Sequence, residues 1–187
     1  SQMGLEDIAM MRTIFGSTVL SPSDAVSAEK LTATAAGLAG ISYVRTIRGG
    51  TPVIYANDEE FPVPGLKVLR STPEDVAAVF ATGVAVSAAL EAADKLEKEG
   101  RSVTVVDCYS IKPLDVAEVE RVAYTVPKIV TVEDHFPEGG LGEAIGTVVG
   151  SKVVVRAVTV RPHSGGPDEL QAEQGIDAEG IIRAVVQ

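Results

Sequence analysis

Short β-branched runs alternate with longer alanine-rich stretches along most of this chain, and that alternation restricts the fold more than any other feature. Val103–Asp107 and Ile129–Glu133 are brief and apolar on both faces, the pattern of strands buried inside a sheet. Ala85–Glu99 lies between such runs, has helical spacing, and ends at Gly100. Strand–helix–strand order of this kind predicts a largely parallel sheet with right-handed crossovers. With aromatics at 4% and no Trp, the core has to be built from Ala, Val, Ile and Leu. The fold class expected is therefore α/β.

Further elements follow from the same periodicities. Leu5–Arg12 reads as a short helix and Ser17–Leu20 as a strand. Ser23 or Asp24 is placed to cap a helix that runs through Leu31 and Ala35 to Gly40. Ile41–Arg45 and Pro52–Tyr55 read as strands, as do Leu66–Arg70 and Val76–Ala81. Val116–Tyr124 and Gly142–Val149 are predicted helices, Val153–Val160 a strand, and two short helices close the chain. Asn57–Gly65 breaks the pattern with three consecutive acids and two prolines, and it is the expected linker. Residues 66–187 are long enough for one self-contained domain. Residues 1–65 offer too little surface for a core of their own and are expected to be the last part of a larger α/β domain.

Composition excludes several partner classes. The net charge of −10 leaves no basic stripe for nucleic acid or for an anionic membrane surface. The single cysteine, Cys108, cannot form an internal disulfide, which is compatible with a reducing cytoplasm. No run reaches the ~20 apolar residues that span a bilayer.

Chemistry-bearing residues are sparse. Two histidines, His135 and His163, stand without the cysteine spacing of a metal site. No phosphate-cradling P-loop and no Gly-x-Ser-x-Gly elbow occur. Gly139-Gly140-Leu141-Gly142 follows a strand and opens a helix, so it reads either as a close helix–sheet approach or as an anion site. Val132-Glu133-Asp134-His135 stands at a strand's carboxy end, where acid–base groups could gather or could brace the turn. Arg45 and Arg48 bracket the end of another strand, and Gly49-Gly50 follows. An arginine there is suited to bidentate capture of phosphate or carboxylate, and equally to an ion pair with one of the 26 acidic residues.

Several segments taken in order are more specific. Ser1-Gln2-Met3-Gly4-Leu5-Glu6-Asp7-Ile8-Ala9-Met10 resembles the pyrimidine-binding domain of animal-type transketolases. Ser21-Pro22-Ser23-Asp24, then Tyr43-Val44-Arg45-Thr46-Ile47-Arg48, are similar to the next segments of that family. Ser110-Ile111-Lys112-Pro113-Leu114-Asp115, Thr131-Val132-Glu133-Asp134-His135 and Glu138-Gly139-Gly140-Leu141-Gly142-Glu143-Ala144 continue the match. Arg161-Pro162-His163-Ser164-Gly165 and Gly175-Ile176-Asp177 complete it. The glycine segment is shared with deoxyxylulose-phosphate synthases and 2-oxoacid dehydrogenase beta subunits. The first segment and the Ile-Lys-Pro-Leu-Asp run favour transketolase.

The resemblance implies a transferase of the pentose phosphate pathway that moves a two-carbon ketol unit between sugar phosphates. Its cofactors would be thiamine diphosphate and Mg2+, and its active sites would lie between two subunits. It also implies that residues 1–65 are the end of a pyrimidine-binding domain and 66–187 a three-layer carboxy-terminal domain with a mostly parallel sheet. Arg48 falls on the family's sugar-phosphate-binding arginine, and Gln2 on a substrate-contacting position. Ile47 departs from the serine usual before that arginine. Catalytic, cofactor and metal residues are expected outside this chain, which would then be inactive alone and would need a homodimer or a complementary amino-terminal part. The alternatives are a fragment of one of the two related thiamine enzymes, or a non-catalytic assembly domain.

Overall fold

Asp24 decides where the first long helix starts. Its side chain accepts the Ser27 amide at 2.8 Å, and the Ser27 hydroxyl returns to the Asp24 amide. This reciprocal box satisfies two amides that a helix start would otherwise leave unpaired. The computed structural model describes residues 4–150 and 153–187 of the chain. In order these form α1 (Asp7–Thr13), β1 (Thr18–Leu20), α2 (Ala25–Gly37), β2 (Ser42–Val44), β3 (Lys67–Arg70), β4 (Ala78–Ala81) and α3 (Ala85–Lys98). Then come β5 (Thr104–Asp107), β6 (Ser110–Lys112), α4 (Val116–Ala123), β7 (Ile129–Val132), α5 (Leu141–Val149), β8 (Val153–Arg156), α6 (Pro167–Gln174) and α7 (Ala178–Val186).

The larger sheet has the order β3-β5-β4-β7-β8. Every neighbouring pair is parallel except β3 with β5. Because strand residues alternate between faces, β4 serves two cores at once. Ala77, Val79 and Ala81 join Val86, Ala89 and Leu96 of α3 and Ile181 and Ala184 of α7. Ala78 and Phe80 join Val119 and Val122 of α4 and Leu141 and Ile145 of α5. Helices therefore cover both faces, which makes three layers.

The smaller sheet has the order β2-β1-β6. β1 runs parallel to β2, with Thr18 opposite Ser42 and Leu20 opposite Val44, and antiparallel to β6. The β6 strand has no signature in the apolar pattern: its three residues come from far down the chain and end on a lysine. That Lys112 reaches back to donate to the carbonyls of Arg12 and Ile14 at 2.7 and 2.6 Å. Residues 57–65 hold no helix or strand, yet they are bound down. Phe61 is buried edge-on against Tyr55 and Tyr109, at 4.8 and 5.2 Å between ring centroids.

Three expectations about elements fail. Pro52–Tyr55 is not a strand, because the Ile54 and Tyr55 amides donate to Asp24 instead of to a neighbouring strand. α2 ends at Gly37 and not at Gly40, which lies beyond it at φ +91°. β8 ends at Arg156; beyond it the amides of Thr159 and Val160 are taken by the Gln174 side chain. Among the described residues no helix is long and apolar enough to cross a membrane.

Candidate functional site

Parallel strands deliver their following loops to one edge of a sheet, the place where such folds gather ligands. β2 does this for Arg45 and Arg48, and the two arginines have opposite fates. Arg45 turns inward and is buried. Its Nε donates to Asp7 at 2.9 Å, its Nη2 faces the Gly4 carbonyl at 3.4 Å, and its Nη1 lies 3.9 Å from Asp134. Tyr43 donates its hydroxyl to the same Asp7 oxygen at 2.6 Å. Burial, with Asp7 beside it, pushes the phenol up to about 12. Arg48 is exposed on the loop after β2 and forms no ion pair among the described residues. Gln2 lies outside the described residues.

Behind α1 lies the segment from Glu133 to Gly142. Glu133 is fully buried at the end of β7, and its two oxygens accept the Leu141 and Gly142 amides at 2.6 and 2.9 Å. Those amides are the free donors of the α5 start, so the anion site allowed by the glycine run is filled by the protein's own carboxylate. Gly140 is required for this: a Cβ there would stand 2.0 Å from Glu133 Oε2. Burial pushes the Glu133 carboxyl up to about 7, against the pull of those amides and of Arg12 and Arg45.

Arg12 donates to the carbonyls of Gly139 and Gly140 and so ties α1 to the same turn. Its role had no signal in the sequence, since its partners are more than a hundred residues away and are backbone atoms. His135 is buried and accepts the Ala9 amide on Nε2 at 3.3 Å. Its Nδ1 therefore carries the proton and donates to the Phe136 carbonyl at 2.5 Å. Burial holds the imidazole below its usual pKa, consistent with a neutral ring. Glu133, Asp134 and His135 thus brace α1, Arg45 and α5.

A second buried group had no signal either. Asp107, at the end of β5, is fully buried and accepts the hydroxyls of Ser23 at 2.6 Å and Tyr55 at 2.7 Å on one oxygen. Its other oxygen has no partner. Burial pushes this carboxyl up to about 7. The neighbouring Cys108 is buried, and its thiol pKa is raised for the same reason. His163 is exposed and pairs with Glu173 at 2.9 Å.

The family model described as "Transketolase, C-terminal domain" matches residues 66–181. This chain belongs to the transketolase family. Transketolase-like protein 1 of Bos taurus is 43% identical over 190 residues, covering 99% of this chain and 32% of the relative. Transketolase of Rattus norvegicus is 44% identical over 190 residues, covering 99% of this chain and 30% of the relative. The chain thus spans about a third of the length of these curated transketolase relatives. Among solved structures, "Split gene transketolase, inactive beta4 tetramer" superimposes with a TM-score of 0.88 at 32% identity. That match covers 98% of this chain and 60% of the other.

Proposed function

We propose that this chain forms the sugar-phosphate-holding part of a thiamine-diphosphate-dependent transketolase. In the assembled enzyme a two-carbon ketol unit passes from a ketose phosphate to an aldose phosphate. The observation that carries this reading is Arg48: an exposed arginine with no ion pair among the described residues, at the carboxy edge of parallel strands, at the position where the resemblance implies the family's phosphate-binding arginine. A guanidinium in that state can give two parallel N–H donors to a phosphate. Ile47 offers no hydroxyl beside it, so the arginine and its loop carry the contact.

The cofactor would supply the carbanion chemistry. Among the described residues no group of three or more His, Cys, Asp or Glu could hold a metal ion. The buried carboxylates of Glu133 and Asp24 are taken up by backbone amides. The described residues therefore do not supply the donor set that a metal-bound diphosphate needs. Those donors would come from a complementary part or subunit, a reading supported by the similar split-gene transketolase, an inactive beta4 tetramer. Exposed Met10, Phe15 and Val53 give the first 65 residues apolar surface for such an assembly.

Mixing the chain with a complementary cofactor-binding portion, and following ketol transfer to an aldose phosphate, tests the proposal. Transfer is expected only in the mixture, with calorimetry showing no thiamine diphosphate uptake by the chain alone. Micromolar cofactor binding by the chain, or a mixture that assembles without transfer, would overturn it.

A further inference from the structure

Among the described residues, the hydrogen bonds that fasten the segment carrying Arg48 fall at its two ends. Among the described residues no hydrogen bond reaches Thr46 to Val53. At the far end Asp24 Oδ2 accepts the Ile54 and Tyr55 amides at 2.9 and 3.1 Å. At the near end stands Arg45. Its amide donates to the Leu20 carbonyl at 2.8 Å. Its guanidinium reaches Asp7, the Gly4 carbonyl and Asp134, at 2.9, 3.4 and 3.9 Å. Those partners come from the entrance to α1 and from the turn after β7, so one side chain locks three segments together.

We propose that Arg45 is a positioning residue for Arg48, fixing the root of the phosphate-binding loop before substrate arrives; this rests on the phosphate reading of Arg48. Two residues, Thr46 and Ile47, separate the two, and Gly49-Gly50 follows at once. Glycine has more backbone freedom to lose than any other residue. A loop that is loose at its root must be ordered at each binding event, and that cost subtracts from affinity. A root held by a buried arginine removes part of it in advance. Arginine suits the task because its planar fork addresses acceptors in three directions, where a lysine offers one charged point.

In the assembled enzyme, Arg45→Met is expected to raise KM for a phosphorylated acceptor roughly tenfold, a size typical of coupling between neighbouring residues. The kcat, and KM for unphosphorylated glycolaldehyde, should change little. Arg45→Lys should recover part of the loss. In an Arg48→Ala background the Arg45 effect should vanish, because nothing is left to position. In the chain by itself, exchange of the backbone amide at position 45, which donates to the Leu20 carbonyl at the loop's root, should quicken in Arg45→Met. Should Arg45→Met fail to fold, Asp134→Asn removes only the outermost contact and should shift KM in the same sense by a smaller factor. Equal losses for both acceptors, losses that add to those of Arg48→Ala, or unchanged exchange at the position-45 amide would each overturn the proposal. If Arg48→Ala itself treats both acceptors alike, the phosphate reading fails on its own account and the positioning role falls with it.

Discussion

Tyr55 donates its hydroxyl to Asp107 across 2.7 Å, so a residue just before the 57–65 segment is hydrogen-bonded to the end of a central strand of the larger sheet. Ser23 donates to the same oxygen at 2.6 Å. One buried carboxylate therefore gathers the β1–α2 loop, the end of the Arg48 segment and β5. Asp24, next to Ser23, holds the Tyr55 amide as well, so Tyr55 is fixed at both its backbone and its ring. Removing the hydroxyl in Tyr55→Phe leaves the carboxylate with one donor. It should cost about 1–3 kcal/mol, the penalty for an unsatisfied buried polar group, read from the denaturant midpoint.

The same carboxylate gives a pH dependence of known sign. Burial raises Asp107 to about 7 in the folded chain, with Asp24 adding to the shift and Ser23, Tyr55 and Lys67 opposing it. An unfolded aspartate titrates near ~3.9. Between those values the folded state binds more protons than the unfolded one, so this group's contribution to stability falls as pH rises and levels off above about 7. His135 and Asp24, with lowered values, act in the opposite direction. The difference between wild type and Asp107→Asn isolates the effect. Wild type should lose ground to the variant by up to about 1.4 kcal/mol per pH unit within that window. A difference independent of pH would mean that Asp107 is ionised throughout.

Two glycines of α5, one at its amino-terminal cap and one inside it, should respond oppositely to alanine. At Gly140 a Cβ would meet Glu133 Oε2 at 2.0 Å, and the carboxylate cannot retreat without losing the α5 amides. Gly140→Ala should cost about 1–3 kcal/mol, the usual range for overpacking. At Gly146, inside α5, a Cβ meets nothing within 4 Å. Gly146→Ala should stabilise the chain by about 0.5–1 kcal/mol through helix propensity. Thermal melts of the two variants decide the matter; equal shifts would deny the Glu133 contact.

How far the sequence reveals these arrangements depends on the range over which each is determined. β4, β5 and β7 are legible because residues buried on both faces leave an unbroken apolar run, and α3 because its period and Gly100 are local. Pro52–Tyr55 misleads because its apolar residues match a strand while its amides serve Asp24, thirty residues upstream. β6 is too short for a period to register, and its pairing with β1 is long-range. Asp107 carries no local sign of burial: its partners lie 84 and 52 residues away. Arg48 stands out through its glycines and its place after a strand, whereas the inward turn of Arg45 depends on Asp7, which only the folded chain brings near.

Arg48 supplies the prediction that bears most directly on function. In the assembled enzyme, Arg48→Ala should chiefly raise KM for phosphorylated sugars and leave kcat nearly unchanged. A guanidinium on a remote phosphate interacts about equally with the ground state and the transition state, which is uniform binding. Loss of the charge-assisted pair should cost about 2–3 kcal/mol, roughly thirty- to a hundredfold in kcat/KM. Glycolaldehyde offers no phosphate to hold and should be almost indifferent. Arg48→Lys should restore part of the loss, since an ammonium cannot make the two-pronged contact. The side chain is exposed and forms no ion pair among the described residues, so thermal stability should hold within about 0.5 kcal/mol. A bracing role would instead lower the melting temperature and slow both acceptors alike. Steady-state kinetics with the two acceptors, beside a melt of each variant, separates these outcomes, and equal losses would remove the phosphate assignment.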